Sequence, residues 1–401
     1  MIAGSKPVSS LRKSNSPFGG ISIRKALVVT QFIISLSLII CTIIVTAQLQ
    51  FMQNKKLGIN KDNVLLIKGN RDLTASITTF RESLLDIPGV QMASCVNRSP
   101  FQILVGYGFA PGATPKDTDW TMVAAEGADE NFLQTMDLKL LAGRNFTHAA
   151  IADTVNEFIV NESYLTKFGL TENQVLGSKV TLGTVNERGP GTIVGIASDF
   201  HYNSLHQKIE PLIIFNHPSW SASSLVVRVD GKDIPNTLKG IEAKWKEFVP
   251  NRPFNFNFNF LDVEYDTLYK HEQQFSFIVL VFSSLAIIIA CLGLLGLSSF
   301  ATFQRAKELA IRKVMGASAQ SLVILLSRGY LSLIIGSSLV AIPLSFYFIS
   351  NWLESFQYRI ELSPWYFVVG ILLLMLIALS TIGMQSFKAT TANPVERLRI
   401  E

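Results

Sequence analysis

Four stretches of the chain carry no charged side chain: Ala26–Asn54, Phe275–Phe303, Gly329–Leu353 and Leu362–Phe387. Each exceeds the roughly 20 apolar residues that a helix needs to cross a bilayer core. A buried helix of a soluble domain seldom stays apolar all round for so long. The pattern predicts four transmembrane helices, at 26–47, 275–300, 330–350 and 365–385. Between and beside them lie an N-terminal segment 1–25, a long segment 48–274, a loop 301–329, a short loop 351–364 and a tail 386–401. The first stretch follows Arg24 and Lys25, as the core of a secretory signal would. Its apolar run is too long for a signal, and Val45-Thr46-Ala47-Gln48 is a poor cleavage site, so it reads as an uncleaved anchor.

Between the first two spans the periodicity changes. Short β-rich runs occur at Asn63–Lys68, Glu157–Val160, Gly191–Ala197, Pro211–Phe215 and Ser224–Val229. Thr78–Asp86 reads as a helix stopped by Ile87-Pro88-Gly89, and Asp233–Phe248 as an amphipathic helix ended by Pro250. From Phe254 to Phe260, Phe and Asn alternate strictly, which predicts a strand with one buried face. Segment 261–274 is expected to lead as a helix into the second span, and the first span to continue outward from Gln48 to Lys56. Two such extensions would make a helical stalk. The fold class expected is thus membrane α-helical, four spans with a large mixed α/β external (periplasmic) domain between helices 1 and 2.

Charge orients the chain. Segments 1–25 and 301–328 and the tail from 388 together hold thirteen Lys or Arg and three Asp or Glu, whereas 48–274 holds 21 basic and 25 acidic residues. The positive-inside rule therefore places both termini and the 301–329 loop in the cytoplasm and 48–274 outside. Only 16% of residues are charged, against about 25% in an average soluble domain, which argues against a soluble enzyme. The basic residues flank spans, so no nucleic-acid partner is expected. Cys41, Cys95 and Cys291 are too few and too scattered for a disulfide framework.

Candidate chemistry is sparse. All five histidines, His148, His201, His206, His217 and His271, fall in the external segment. The densest group is Asp199-Phe200-His201-Tyr202, followed by His206 and Glu210. Its spacing is not that of a metal site, and a capped turn at a strand end is the expected reading. No Gly-x-Ser-x-Gly, His-Glu-x-x-His or Gly-x-x-x-x-Gly-Lys-Ser/Thr occurs. No catalytic residue and no metal ligand is therefore assigned.

The cytoplasmic loop is more informative. In QRAKELAIRKVMGAS (304–318), Arg305, Lys307, Glu308, Arg312 and Lys313 alternate with Leu309, Ala310, Ile311, Val314 and Met315. Glu308 and Arg312 stand i,i+4 on a helix that Gly316 would stop. The pattern is a short amphipathic helix at the membrane surface, read either as a solvated positive-inside loop or as a docking element for a cytosolic partner.

Arg305-x-Lys307-Glu308-x-x-Ile311-Arg312-Lys313-Val314-x-Gly316-Ala317-Ser318 resembles the loop of MacB/FtsX-type ABC transporter permeases. Similar phrases are Leu141-Ala142-Gly143-Arg144-Asn145-Phe146, Val160-Asn161-Glu162-Ser163-Tyr164, Gly195-Ile196-Ala197-Ser198-Asp199-Phe200-His201 and Asn393-Pro394-Val395-x-x-Leu398-Arg399. The resemblance implies a permease in the bacterial inner (plasma) membrane that pairs with a second four-span unit or dimerises. It implies a cytosolic ABC ATPase as partner, a periplasmic partner, and mechanotransmission from ATPase to external domain for export or envelope remodelling. The ATPase-coupling residues it implies are Arg305, Lys307, Glu308, Ile311, Arg312, Lys313, Gly316 and Ala317. With no phosphate-binding loop here, the chain is expected to hold no cofactor, ATP being bound by a separate subunit; in MacB the ATPase is fused to the permease. Lys6-Pro7-Val8-Ser9-Ser10-Leu11-Arg12 echoes 393–399, as though this chain were the C-terminal unit of a two-unit permease.

Three other functions compete. A membrane-anchored binding or signalling protein fits the external domain but lacks a cytosolic output domain. A secondary transporter needs ionisable groups in mid-membrane, and the four runs have none. An enzyme finds no catalytic motif.

Overall fold

The computed structural model describes residues 20–391 except 70, 104, 117–118, 148–155, 184–187, 217–221, 255–257, 305–307, 309–310 and 313–314. His148, His217, Arg305, Lys307, Leu309, Ala310, Lys313, Val314 and both halves of the 6–12/393–399 echo lie outside the described residues. The chain forms two compact units. The first comprises residues 1–51, 272–355 and 359–401, the second 52–271 and 356–358.

The first unit is helical: α1 (Gly20–Asn54), α9 (Lys270–Gln304), α10 (Ala319–Glu354) and α11 (Pro364–Thr391). These four helices contain segments long and apolar enough to cross a membrane, at Lys25–Asn54, Lys270–Gln304, Ser327–Glu354 and Pro364–Gln385. One stripe of α1, Phe32, Leu36, Ile40 and Ile44, is fully buried against Ile334 and Ala341 of α10 and Leu374 and Ala378 of α11. The spacing of four keeps those residues on one helix face. Small hydroxyls join the helices where side-chain bulk is least: Ser35 Oγ donates to the Ala286 carbonyl at 3.1 Å and Ser337 Oγ to that of Val29 at 3.3 Å. Beyond the apolar stripe, Gln48 is fully buried and its Oε1 accepts from the Ile360 amide at 2.9 Å. Most of α9 presents apolar side chains outward, among them Phe277, Phe282, Ile288 and Leu292.

The second unit holds two sheets. The smaller, ordered β11-β1-β10-β2, is antiparallel throughout: β1 (Val64–Lys68), β2 (Val90–Val96), β10 (Ser224–Val229) and β11 (Phe258–Phe260). Leu65, Ile67, Ala93, Cys95, Leu225 and Val227 turn one face inward, where α3 (Ile77–Leu84) and α7 (Ile234–Phe248) cover it with Phe80, Ile241 and Trp245. Asp233 caps α7, its side chain accepting from the Asn236 amide, and Pro235 lies in its first turn.

The larger sheet is ordered β5-β8-β6-β9-β4-β3-β7 and also pairs β7 with β8. Its strands are β3 (Val105–Pro111), β4 (Thr121–Gly127), β5 (Leu140–Gly143), β6 (Asn156–Asn161), β7 (Lys179–Gly183), β8 (Arg188–Ala197) and β9 (Leu212–Asn216). The long β8 gives its first half to β7 and its second half to β5, so six strands close into a ring and β5 is appended. Pairs β4–β9 and β6–β8 are parallel. Phe109, Phe158, Val160, Ile193, Ile213 and Phe215 fill the ring with Tyr164 of α5 (Glu162–Phe168) and Val175 of α6 (Glu172–Val175). The minor helices are α2 (Arg71–Thr74), α4 (Phe132–Thr135) and α8 (Leu261–Thr267).

Four helices flanking a mixed α/β domain in the sequence is the expected fold class. Two details differ from the periodicity. The helix expected over 261–274 is interrupted at Leu268–Tyr269, because the buried Tyr269 side chain is used in a tertiary contact described below. Of the strand expected over Phe254–Phe260, residues 258–260 pair as β11, while Phe254 precedes the strand, packs on Trp245 and stacks on Phe258.

Buried charge ties the sheets together. Asp129, after β4, accepts from Arg81 Nη1 of α3 at 2.7 Å, the Cys95 amide at 2.8 Å, Ser94 Oγ at 2.6 Å and the Asn131 amide at 3.1 Å. Glu126 of β4 is 1% exposed; its Oε1 accepts from the Arg98 amide at 2.6 Å and its Oε2 has no hydrogen-bond partner among the described residues. Burial holds the Glu126 carboxyl high, at about 8, against the pull of the Arg98 and Asn97 amides.

Candidate functional site

Two places gather the residues singled out in the sequence. The first is the turn after β8. Asn161, at the end of β6, caps α5: its Oδ1 accepts from the Tyr164 amide at 3.1 Å and the Leu212 amide at 2.9 Å, and its Nδ2 donates to the Glu210 carbonyl at 3.1 Å. Asp199 then binds the same helix start, accepting from the Ser163 amide at 2.9 Å and from Ser163 Oγ at 2.7 Å. The Asp199 amide donates to Glu162 Oε2 at 3.1 Å. The phrases 160–164 and 195–201 are therefore two halves of one interlocked turn.

This turn receives every segment that links the external unit to the spans. The His201 amide donates to the Leu57 carbonyl at 2.8 Å, just beyond the end of α1. Next to it Gly58 has φ +83°, and a Cβ there would come within 2.4 Å of the Asp199 carbonyl oxygen, so only glycine fits. Tyr265 Oη donates to the Met52 carbonyl at 3.0 Å, and the Leu205 amide donates to Tyr269 Oη at 2.9 Å. This second bond is the contact that interrupts the helix before α9. The loop between α10 and α11 arrives as well: the Tyr358 amide donates to the Leu205 carbonyl at 3.2 Å. The Tyr358 ring meets His201 edge-on at 4.7 Å, and Phe356 stacks on His206 at 4.1 Å. Lys55 Nζ lies 5.2 Å from the Tyr358 ring centre.

His201 is buried, and burial followed by the charge of Lys55 lowers its pKa to about 4. At neutral pH it is an uncharged ring, suited to packing. Among the described residues no group of three or more His, Cys, Asp or Glu is placed to hold a metal ion. Asp199 is committed to Ser163, and His201 and His206 lie against aromatic rings. The group Asp199-Phe200-His201-Tyr202 is thus packed and hydrogen-bonded into a structural junction.

From sequence alone, Tyr265, Tyr269, Phe356 and Tyr358 read only as stalk or short-loop residues. The one local signal is the pair of aromatic residues in the short loop between the last spans.

The second place is the loop between α9 and α10. Glu308, Ile311 and Arg312 are helical, and Arg312 Nη2 donates to Glu308 Oε1 at 2.8 Å, with both side chains half exposed. Ile311 and, just after the helix, Met315 are exposed apolar residues. Gly316 has φ +91°, and the Ala317 amide reaches back to the Arg312 carbonyl at 2.9 Å, the six-to-one bond of a left-handed helix stop. Ser318 then caps α10, accepting from the Ser321 amide. The stop turns the chain sharply a few residues after the Glu308–Arg312 pair.

Two family models match the chain. That of the MacB-like periplasmic core domain covers residues 27–244, and that of the FtsX-like permease C-terminal domain covers 280–394. Among solved structures, the periplasmic region of MacB from Actinobacillus actinomycetemcomitans is similar at 15% identity and a TM-score of 0.36, over 53% of this chain and 95% of that one. The extracellular domain of the noncanonic ABC-type transporter YknZ from Gram-positive bacteria is similar at 15% identity and a TM-score of 0.34, over 49% of this chain and 97% of that one. No curated protein matches.

Proposed function

We propose a mechanical role for this chain, which belongs to the MacB/FtsX-type family of ABC transporter permeases. It is a multi-pass membrane protein with an external α/β domain, in a family of transporters. Within that frame, an ABC ATPase docks on the cytoplasmic loop, and its ATP-driven closure moves the external domain for export or envelope remodelling. ATP stays on the partner subunit, and this chain contributes no cofactor. The membrane is the bacterial inner membrane. A second four-span unit or a second copy completes the assembly, and a periplasmic partner receives the movement.

The observation that carries this reading is the convergence of Met52–Gly58, Tyr265–Tyr269 and Phe356–Tyr358 on residues 199–206. A binding site for a soluble substrate has no use for such a junction. A domain that must be moved by its connections does. On the cytoplasmic side, Arg305, Lys307, Arg312 and Lys313 would meet acidic groups of the ATPase. Glu308 holds Arg312 in register, and Ile311 anchors the helix in the membrane surface.

The test is copurification of an ATPase with the full chain, and its stimulated ATP hydrolysis, for the parent, Glu308→Lys and Arg312→Glu. Losing a buried, hydrogen-bonded interfacial charge costs about 2–5 kcal/mol and a rim charge much less. Both variants are expected to lose binding or stimulation while the spans remain inserted. If both bind and stimulate like the parent, the loop is only a solvated positive-inside segment. A reporter fused after Glu401 is expected to read cytoplasmic, and one placed within 111–119 external. Periplasmic activity at the C-terminus would overturn the topology.

A further inference from the structure

We infer that the loop between α10 and α11 is a force-bearing clasp, a third route by which helix movement enters the external domain beside the two helical connections at Met52 and His271. This inference rests on the permease reading above. Phe356, Gln357 and Tyr358 belong to the external unit although the helices before and after them do not. Phe356 is 3% exposed, so the loop is packed into that unit at this point.

Three kinds of contact hold the clasp. His206 stacks on Phe356 with 25° between the planes, and His201 stands edge-on to Tyr358 at 87°. The Tyr358 amide bonds to the Leu205 carbonyl. Lys55 lies over the Tyr358 ring, so the segment that follows α1 meets the loop on one aromatic face. Neutral His201 suits this packing, since a charged ring would need solvation that the site does not give.

The connection has little slack. α10 ends at Glu354, and only Ser355 separates it from Phe356. Ser355 itself is bonded back to Trp352, through its amide at 3.2 Å and its Oγ at 2.7 Å. One residue spans about 3.8 Å between Cα atoms, so a displacement of the end of α10 larger than a few ångströms must pull Phe356 or break the clasp. On the other side the Ile360 amide, two residues after Tyr358, is held by Gln48 of α1, so both tethers of the clasp are short and the shorter is the one to α10.

The experiment is hydrogen exchange read by mass spectrometry on the full chain with its copurified ATPase in nanodiscs, comparing ADP with a non-hydrolysable ATP analogue. The parent is expected to change exchange over residues 199–206 between the two nucleotides. In the double variant Phe356→Ala with Tyr358→Ala that change is expected to fall by at least half, with protection of β6, β8 and β9 kept. Tyr358→Phe, which retains the ring, is expected to restore most of it when Phe356 is intact. A second variant leaves the clasp contacts in place and slackens its tethers, with Gly-Ser inserted between Ser355 and Phe356 and again between Tyr358 and Arg359. It too is expected to lose at least half of the change, and it decides the matter if the alanine variant unfolds. A full parental response in either folded variant overturns the clasp and leaves the permease reading standing. No nucleotide response in the ATPase-bound parent overturns both.

Discussion

Replacing Asp129 by alanine is expected to loosen the external unit at the joint between its two sheets. The carboxylate accepts four hydrogen bonds, from Arg81, Cys95, Ser94 and Asn131, and its side chain and that of Arg81 are each 7% exposed. Arg81 stands on α3, which packs on the smaller sheet, while Asp129 follows β4 of the ring. Without the carboxylate the guanidinium is left buried with Glu130 and Glu82 at 3.5 Å, too long for good hydrogen bonds. Breaking a buried pair by removing one partner costs about 3–5 kcal/mol. The two remaining acids offset part of the charge, which places Asp129→Ala near the lower end, at about 3 kcal/mol. Replacing both ends, as Arg81→Met with Asp129→Ala, removes the stranded charge and is expected to cost less than Asp129→Ala alone. The assay is hydrogen exchange at the amides of β2 and α3 in the detergent-solubilised chain, since opening of this joint need not unfold the helical unit. About 3 kcal/mol corresponds to a rise of roughly a hundredfold in exchange rate. A rise of less than fivefold for the single variant, or a double variant worse than the single one, would refute the reasoning.

Two titrating groups bracket the pH range of the external unit. Glu126 keeps its proton to about 8 when folded, against an ordinary value of 4.5, so its stabilisation is present below the unfolded value and is lost as pH rises through 8. Glu126→Gln is expected to flatten that alkaline loss, of order 4 kcal/mol, in thermal unfolding measured from pH 5 to 9. His201 has the opposite sign: lowered to about 4 from 6.5, its stabilisation is present above 6.5 and is lost as pH falls through 4, and His201→Gln is expected to remove that acid limb. Gly316→Val puts a β-branched residue at φ +91° and is expected to fray the end of the loop helix by about 1–2 kcal/mol, seen as faster exchange at the Ala317 amide; unchanged exchange would count against the left-handed stop.

The four spans were legible because an uncharged run of bilayer length is too apolar, on too many faces, for the surface of a soluble domain. Strands β1, β6, β8, β9 and β10 were legible for a similar reason: each is a short apolar run, and nearly all of their described residues are buried. Strands β2, β3, β4, β5 and β7 were not. Val105–Pro111 reads as punctuation, with Gly106, Gly108 and Pro111, and it is a strand because β4 and β7 pair on either side of it. Closure of the ring depends on β7 meeting β8 and β3 at once, a long-range condition with no local pattern. The junction at 199–206 was half legible. Its residues stood out, but their partners Tyr269, Phe356 and Tyr358 lie far along the chain in segments that look like connectors. The spacing of Asp199, His201 and His206 argued for a capped turn and against a metal site; what it could not give was the rings on which the two histidines pack.

Asn161 shows what the phrases alone leave out. In the sequence it belongs to Val160-Asn161-Glu162-Ser163-Tyr164, and a helix cap is all that local rules give it. In the structure one side chain also satisfies the first amide of β9 and the carbonyl of Glu210, and it is 3% exposed. Asn161→Ala loses a cap worth about 1 kcal/mol. It also strands a buried amide at Leu212, which costs a further 1–3 kcal/mol or so. The sum is about 3 kcal/mol, concentrated where α5 and β9 begin, next to the turn that receives the three connections. Asn161→Asp separates the two contributions: it keeps both accepted bonds and sets a carboxylate against the Glu210 carbonyl, so the cap survives while 210–212 is pushed apart. Alanine is expected to speed exchange at both Tyr164 and Leu212, and aspartate at Leu212 far more than at Tyr164. Unchanged exchange at Leu212 in both variants would mean that Asn161 acts only as a cap, and that the turn at 199–206 is held in place by Asp199 and Ser163 alone.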